Sequence, residues 1–321
     1  MFFLPLMSTS SQNSLSLDES YTACDDIARR DKPHLYSCAR HFEHPETRAA
    51  FAATYASMRI IDDFIDDIPN RAQIAGDVRA AARVHVEKWL GRVQAADGGA
   101  QSDEPIWKAL ADTFGRFPIP LHPWNNLANA MITDLFVPQF EDWPHLKRYM
   151  HGASVAPAIV FMHFVLMHPD GDGTFRCAWE YDRVAEATED LAIFCYWVHI
   201  LRDVARDLTL GKTGLVYFPH EDMQRFGLSV QDLHSMKEAG QATDSYRQLA
   251  SFEAARARDH LERGRAHVPA ILADSLPNHG RALTSLVETY AVLLETLAAQ
   301  HFDVFSSPVD VSPARLSEIQ D

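Results

Sequence analysis

Apolar residues recur three and four positions apart along nearly the whole chain, and no alternating run is long enough for a convincing strand. That regularity leaves helices packed on helices as the expected architecture. Leu17, Tyr21, Cys24 and Ala28 open the series before Lys32-Pro33 interrupts it. Phe51, Tyr55, Met58, Ile61, Ile65 and Ile68 form one stripe over residues 45–68, with Pro45 in the first turn and Pro69-Asn70 at the end. Further helices are predicted over residues 72–96, 103–117, 123–136, 142–167, 179–210, 243–265 and 281–305, with Asp142 as an N-cap and Gly211 as a stop. The expected fold is an all-α bundle with a central cavity, in one domain over residues 17–310. A Ser-rich, disordered lead-in (1–16) precedes it, and a tail (311–321) follows.

At 321 residues the chain can bury an ordinary core without disulfide staples. Its 29 Lys and Arg stand against 44 Asp and Glu, a net charge of −15. Such a balance does not neutralise duplex phosphates, so no nucleic-acid partner is expected. A smaller polyanion held through bound cations is compatible with it. Cys24, Cys38, Cys177 and Cys195 make no C-x-x-C pair and no zinc spacing, and read as free thiols in a reducing, cytoplasmic setting. Residues 1–7 are apolar but too short for a signal segment, and no run of 18 apolar residues predicts a membrane span.

Two acidic segments carry the chemistry. In the first, Asp62, Asp63, Asp66 and Asp67 lie among Phe64, Ile61 and Ile65. Asp62 and Asp66 are one helical turn apart, about 6 Å in rise, and Arg59 lies one turn earlier. In the second, His199, Asp203 and Asp207 share a face, with Arg202 and Arg206 on the adjacent stripe. A single Asp-rich turn is ordinarily a solvated surface, and Asp203 with Arg206 also reads as an exposed ion pair. Two such clusters set among large apolar residues instead suit a diphosphate held through Mg²⁺, whose preferred ligands are carboxylates, waters and phosphate oxygens. Arginine completes the neutralisation.

Tyr55, Arg59, Asp62-Asp63 and Asp66 resemble the first aspartate-rich motif of the squalene and phytoene synthase family. Ile200-Leu201-Arg202-Asp203 with Asp207, followed by Gly211 and Tyr217-Phe218-Pro219, resembles the second motif and its flap. Weaker matches are residues 34–40, Tyr149 with Gly152-Ala153, and residues 302–305. The resemblance implies an isoprenoid-synthase fold and a transferase that joins two prenyl diphosphates, farnesyl or geranylgeranyl, head to head with release of diphosphate. It places Mg²⁺ on Asp62, Asp66, Asp203 and Asp207, and diphosphate oxygens on Arg59 and Arg202. Tyr149 is assigned to proton handling or cation stabilisation, and Lys212 and Tyr217 to a flap over the diphosphates. Phe51, Tyr55 and Tyr196 are expected in the substrate pocket, and Phe161, Phe164, Phe194 and Trp197 are further candidates for its wall. NADPH use is not indicated and stays open, as does prenyl chain length. Peripheral membrane association for product release is compatible with this reading.

The pattern is broken at two positions where the family usually has Gln and Asn: here they are Tyr196 and His199. His199 has four readings: a hydrogen bond to diphosphate, a contact to metal-bound water, a base, or a packed polar residue. Two alternatives follow. One moves a single prenyl group to an aromatic acceptor stacked on Tyr196 or deprotonated by His199. The other is a non-catalytic relative acting in protein assembly.

Overall fold

Proline in the first turn and hydroxyl or carboxylate caps set many of the helix starts. Pro45, Pro105, Pro123, Pro144 and Pro277 occupy first-turn positions, where the missing N–H costs no intrahelical bond. Asp142 accepts from the His145 N–H at 2.7 Å, and Ser229 and Asp232 form a reciprocal capping box. The computed structural model describes residues 15–31, 37–68, 74–137, 139–208 and 216–320. Residues 1–14 of the expected lead-in, and Lys212 of the expected flap, lie outside the described residues.

The first half of the chain forms α1 (Leu17–Asp31), a 3₁₀ turn (Cys38–His41), α2 (Pro45–Asp66), α3 (Gly76–Asp97), α4 (Pro105–Arg116) and α5 (His122–Asp134). Next come α6 (Trp143–Met150), a π-helical turn (His151–Val155), α7 (Ala156–Val165) and a hairpin of β1 (Met167–Gly171) and β2 (Thr174–Cys177). The long α8 (Tyr181–Asp207) precedes α9 (His220–Arg225), α10 (Val230–Ala239), α11 (Asp244–Arg265), α12 (Val268–Asp274), α13 (Pro277–Ala299) and α14 (Pro313–Gln320).

α7 and the π turn stand in the middle. α2 packs on α5 and α7, whereas α8 packs on α7, the π turn, α11 and α13. The two motif-bearing helices are thus held by a common neighbour. α11 lies especially close to α8, because a Cβ on Gly264 would meet Leu191 Cδ2 at 2.6 Å. A buried polar network fixes the same interface. The fully buried Glu253 accepts from Trp197 Nε1 at 3.2 Å and from Arg256 Nη1 at 2.6 Å, and Arg256 also reaches Asp222 on α9 at 2.9 Å. Burial in this network pushes the Glu253 carboxyl up to about 8.

Several expectations change. The predicted 142–167 helix is three pieces, because Pro157 has no N–H to continue the ladder. The Ala156 N–H reaches back to the His151 carbonyl, which widens one turn. A short antiparallel hairpin follows where no strand was predicted. Its strands are five and four residues, too short for visible alternation, and Gly171, Asp172 and Gly173 turn it with positive φ. The last long helix begins earlier than predicted, at Pro277, and stops at Ala299, after which His301 and Phe302 adopt φ of 51° and 56°. The expected tail contains α14, whose Ile319 carbonyl accepts from Ser285 Oγ at 3.2 Å. One helix among the described residues, α13, is long and apolar enough to cross a membrane, by length and composition only. It packs on α7, α8 and the 3₁₀ turn, and Leu283, Val287, Leu294 and Leu297 are buried there. All four cysteines are free thiols.

Candidate active site

Both acidic motifs end their helices. Asp63 and Asp66 lie in the last turn of α2, which carries no basic residue, with Asp62 just before it, and Asp207 ends α8 with Asp203 one turn earlier. The C-terminal end of a helix already bears partial negative charge, so carboxylates there are unfavourable twice over without cationic partners. Arginines supply some of that partnership. Arg59 donates to Asp62 Oδ2 at 2.6 Å and also pairs with Asp63. Arg202 grips Asp203 through both oxygens, each at 2.8 Å, and Arg206 donates to Asp203 Oδ2 at 2.6 Å.

The two acidic ends come within electrostatic reach of each other. The Asp66 and Asp203 charges both act on Asp207, but burial is the larger cause that raises the Asp207 carboxyl to about 6, with Arg206 opposing. Asp203 is buried too, yet it lies below the ordinary carboxylate value because the Arg202 hydrogen bond and the charges of Arg202 and Arg206 help outweigh desolvation. A void of about 10 Å³ adjoins Asp207, with Val204, Val216, Tyr217 and Leu233 among its walls.

His199 is spoken for at both nitrogens. Arg202 Nη2 donates to its Nδ1 at 2.9 Å, so the proton resides on Nε2, which faces Asp203 Oδ2 at 3.1 Å. The imidazole thus braces Asp203.

Behind the carboxylates lies a layer of phenols. Tyr149 donates to Asp134 Oδ2 at 3.1 Å, and its oxygen lies 3.4 Å from that of Tyr196. Burial raises the Tyr196 hydroxyl above its ordinary value, and Asp134, Asp62 and Asp66 add to the effect, so this ring senses the first motif from its place on α8. Burial likewise pushes Tyr149 well up. Tyr217 lies over Tyr149 with ring centres 5.9 Å apart. Gly152 makes this layer possible, because a Cβ there would meet the Asn126 carbonyl oxygen at 2.3 Å and Ala130 Cβ at 2.8 Å. The bare backbone lets α5 approach the π turn and brings Asp134 to Tyr149.

Phe51 and Tyr55 sit deeper along α2 in an aromatic cluster. Phe51 lies 6.0 Å from Phe161, 5.6 Å from Phe164 and 6.1 Å from Tyr55, centre to centre. Trp197 leaves the wall: its indole points to Glu253 on α11 and packs against Trp143 at 5.3 Å. The sequence reading missed Asp134. A lone carboxylate ending the stripe Leu127, Met131 and Leu135 was its available signal, and the structure buries it to 4% exposure.

The squalene/phytoene synthase family model matches residues 29–315. The 15-cis-phytoene synthase of Synechocystis sp. is 26% identical over 309 residues, 95% of this chain and 85% of that one. Phytoene synthase 2 of Solanum lycopersicum is 24% identical, over 92% of this chain and 87% of that one. Among solved structures, a dehydrosqualene synthase in complex with ligand superposes with a TM-score of 0.76 at 20% identity, covering 95% of each chain. The squalene synthase HpnC of Alicyclobacillus acidocaldarius gives 0.70 at 22% identity, over 90% of this chain and 97% of that one. These superpositions show the isoprenoid-synthase helical fold. With a match over nearly its full length, the chain belongs to the squalene/phytoene synthase family.

Proposed function

We propose that this protein is a Mg²⁺-dependent prenyltransferase that condenses two prenyl diphosphates head to head and releases diphosphate. One observation carries the reading: the last turns of α2 and α8 bring Asp66 and Asp207 within electrostatic reach, and the substrate crevice is proposed between them, beside Tyr149 and Tyr196. Family membership supports it, because the relatives named above are phytoene and squalene-type synthases.

The residues suit Mg²⁺. All four acidic candidates offer hard carboxylate oxygens, and the mutual repulsion at Asp207 is what a cation relieves. Among the described residues, no three His, Cys, Asp or Glu come together as a ready ligand set. Mg²⁺ in phosphate-handling sites is ordinarily held by one or two carboxylates, waters and substrate phosphates rather than by an all-protein cage. Asp62 and Asp66 would hold it on one side, and Asp203 and Asp207 on the other. Bound there, Mg²⁺ supplies Lewis-acid stabilisation of the departing diphosphate. Arg59 and Arg202, paired with Asp62 and Asp203 here, are placed to exchange those partners for phosphate oxygens. Phe51, Phe161 and Phe164 form a buried aromatic cluster, the kind of apolar surrounding that shields a prenyl chain from water. Both His199 nitrogens are engaged with Arg202 and Asp203, so the aromatic-acceptor alternative would need His199 to exchange a partner before acting as a base.

The test is incubation with farnesyl or geranylgeranyl diphosphate, with Mg²⁺ or with EDTA, followed by hexane extraction and assay of released diphosphate. Metal-dependent release with a hydrocarbon of twice the prenyl length is the expected result. Parallel runs with and without NADPH separate a reductive, squalene-type ending from a phytoene-type one. Failure to consume either diphosphate in the presence of metal sinks the proposal.

A further inference from the structure

The hydroxyl chain behind the acidic ends has a direction. A phenol carries one proton. That of Tyr149 is spent on Asp134 Oδ2, 3.1 Å away. The neighbouring contact, 3.4 Å between the two phenol oxygens, therefore has Tyr196 as donor and Tyr149 as acceptor. With its own proton turned inward, Tyr196 keeps only lone pairs for the crevice, where Asp62 and Asp66 also act on it. Asp134 closes the chain as a carboxylate 4% exposed, held at Tyr149 by the close approach of α5 at Gly152. A buried carboxylate behind two aligned hydroxyl dipoles projects negative potential forward, and low surrounding polarisability preserves it.

We propose that Asp134 is a positioning residue and counter-charge: through Tyr149 it turns the Tyr196 oxygen toward the crevice as an acceptor, which favours an allylic cation there over a neutral prenyl chain. The inference rests on the prenyl-transfer reading above and adds residues to it. Asp134 touches no substrate; it acts through the two phenols. Preorganised dipoles aimed where charge develops lower a barrier without reorganising at the moment of reaction.

Two measurements test it. In turnover with a prenyl diphosphate and Mg²⁺, Asp134→Asn and Tyr196→Phe each lower kcat by about tenfold with KM within about twofold, and the double variant falls no further than the worse single one. In calorimetry, a prenyl tertiary amine, cationic at neutral pH, binds Asp134→Asn about tenfold more weakly in the presence of Mg²⁺ and inorganic diphosphate, whereas a prenyl thiodiphosphate binds as it does to the wild type. Unchanged kcat and amine affinity in folded Asp134→Asn overturns the proposal. So does an equal loss for both ligands, which marks a purely structural role. Fully additive losses in the double variant overturn the relay. If Asp134→Asn does not fold, Tyr196→Phe decides by the same amine-to-thiodiphosphate ratio. Wild-type protein that releases no diphosphate sinks the reading of the site, and the relay with it.

Discussion

Asp203 and Asp207 look alike in the sequence, one turn apart on one face, yet they have opposite standing in the fold. Asp203 is buried under Arg202, Arg206 and His199, and removing its charge leaves the bidentate Arg202 without its carboxylate. Asp203→Asn should therefore cost on the order of 2 kcal/mol in a urea melt at pH 7 without metal. Asp207 is buried with weaker compensation, and its carboxyl is held up at about 6 from an ordinary 3.8. The folded state holds that proton longer than the unfolded chain does, so the wild type loses stability as pH rises from about 4 to about 6. Asp207→Asn should remove that loss and leave the metal-free protein more stable at pH 7, by up to about 3 kcal/mol. Both variants should lose most turnover. Spacing alone says only that like charges repel, and so treats the two residues as equivalent; the difference lies in which arginine each one meets.

At the scale of elements, the site depends on how closely helices approach. Gly152 permits the α5 contact that sets Asp134 beside Tyr149. Gly152→Ala drives a Cβ into the Asn126 carbonyl, and the expected outcome is a loss of about 2–3 kcal/mol with a lower kcat, read from melts and turnover. The α8–α11 interface turns on Glu253. Its carboxyl, raised to about 8 by burial, keeps a proton in the folded state that the unfolded chain releases near 4.5. Stability should fall as pH rises between those values, at up to about 1.4 kcal/mol per pH unit, and level off above 8. Glu253→Gln should flatten that slope while preserving the Trp197 contact; a slope unchanged in the variant would show that Glu253 is not the group responsible. None of this was legible in the periodicity. Gly152 belongs to a weak motif match and Glu253 to no motif, and neither residue names its partner on another helix.

For the whole molecule, the consequence of opposed acidic helix ends is coupling between ligand binding and stability. Mg²⁺ together with a non-reactive prenyl thiodiphosphate ties α2 to α8, and at about 100 times its dissociation constant adds roughly 2.7 kcal/mol. For a chain of this size that is on the order of 5 °C in Tm. Either component alone should shift Tm far less, and EDTA should abolish the joint effect. An equal shift from thiodiphosphate without metal would contradict a cation-bridged site.

The sequence by itself determined the helical bundle, the identity of the acidic helix faces and the family. These are local matters: periodicity, caps and spacing along one helix need no knowledge of any other. It also pointed to Arg59, Arg202 and Tyr149 through the motif. Only the tertiary structure decided that Asp66 faces Asp207, that His199 braces Asp203, that Trp197 turns away toward α11, and that Asp134 stands behind Tyr149 and Tyr196. Each of those depends on distances between side chains on helices far apart in sequence, fixed by close packing at Gly152 and Gly264, where a missing Cβ decides how near two backbones come.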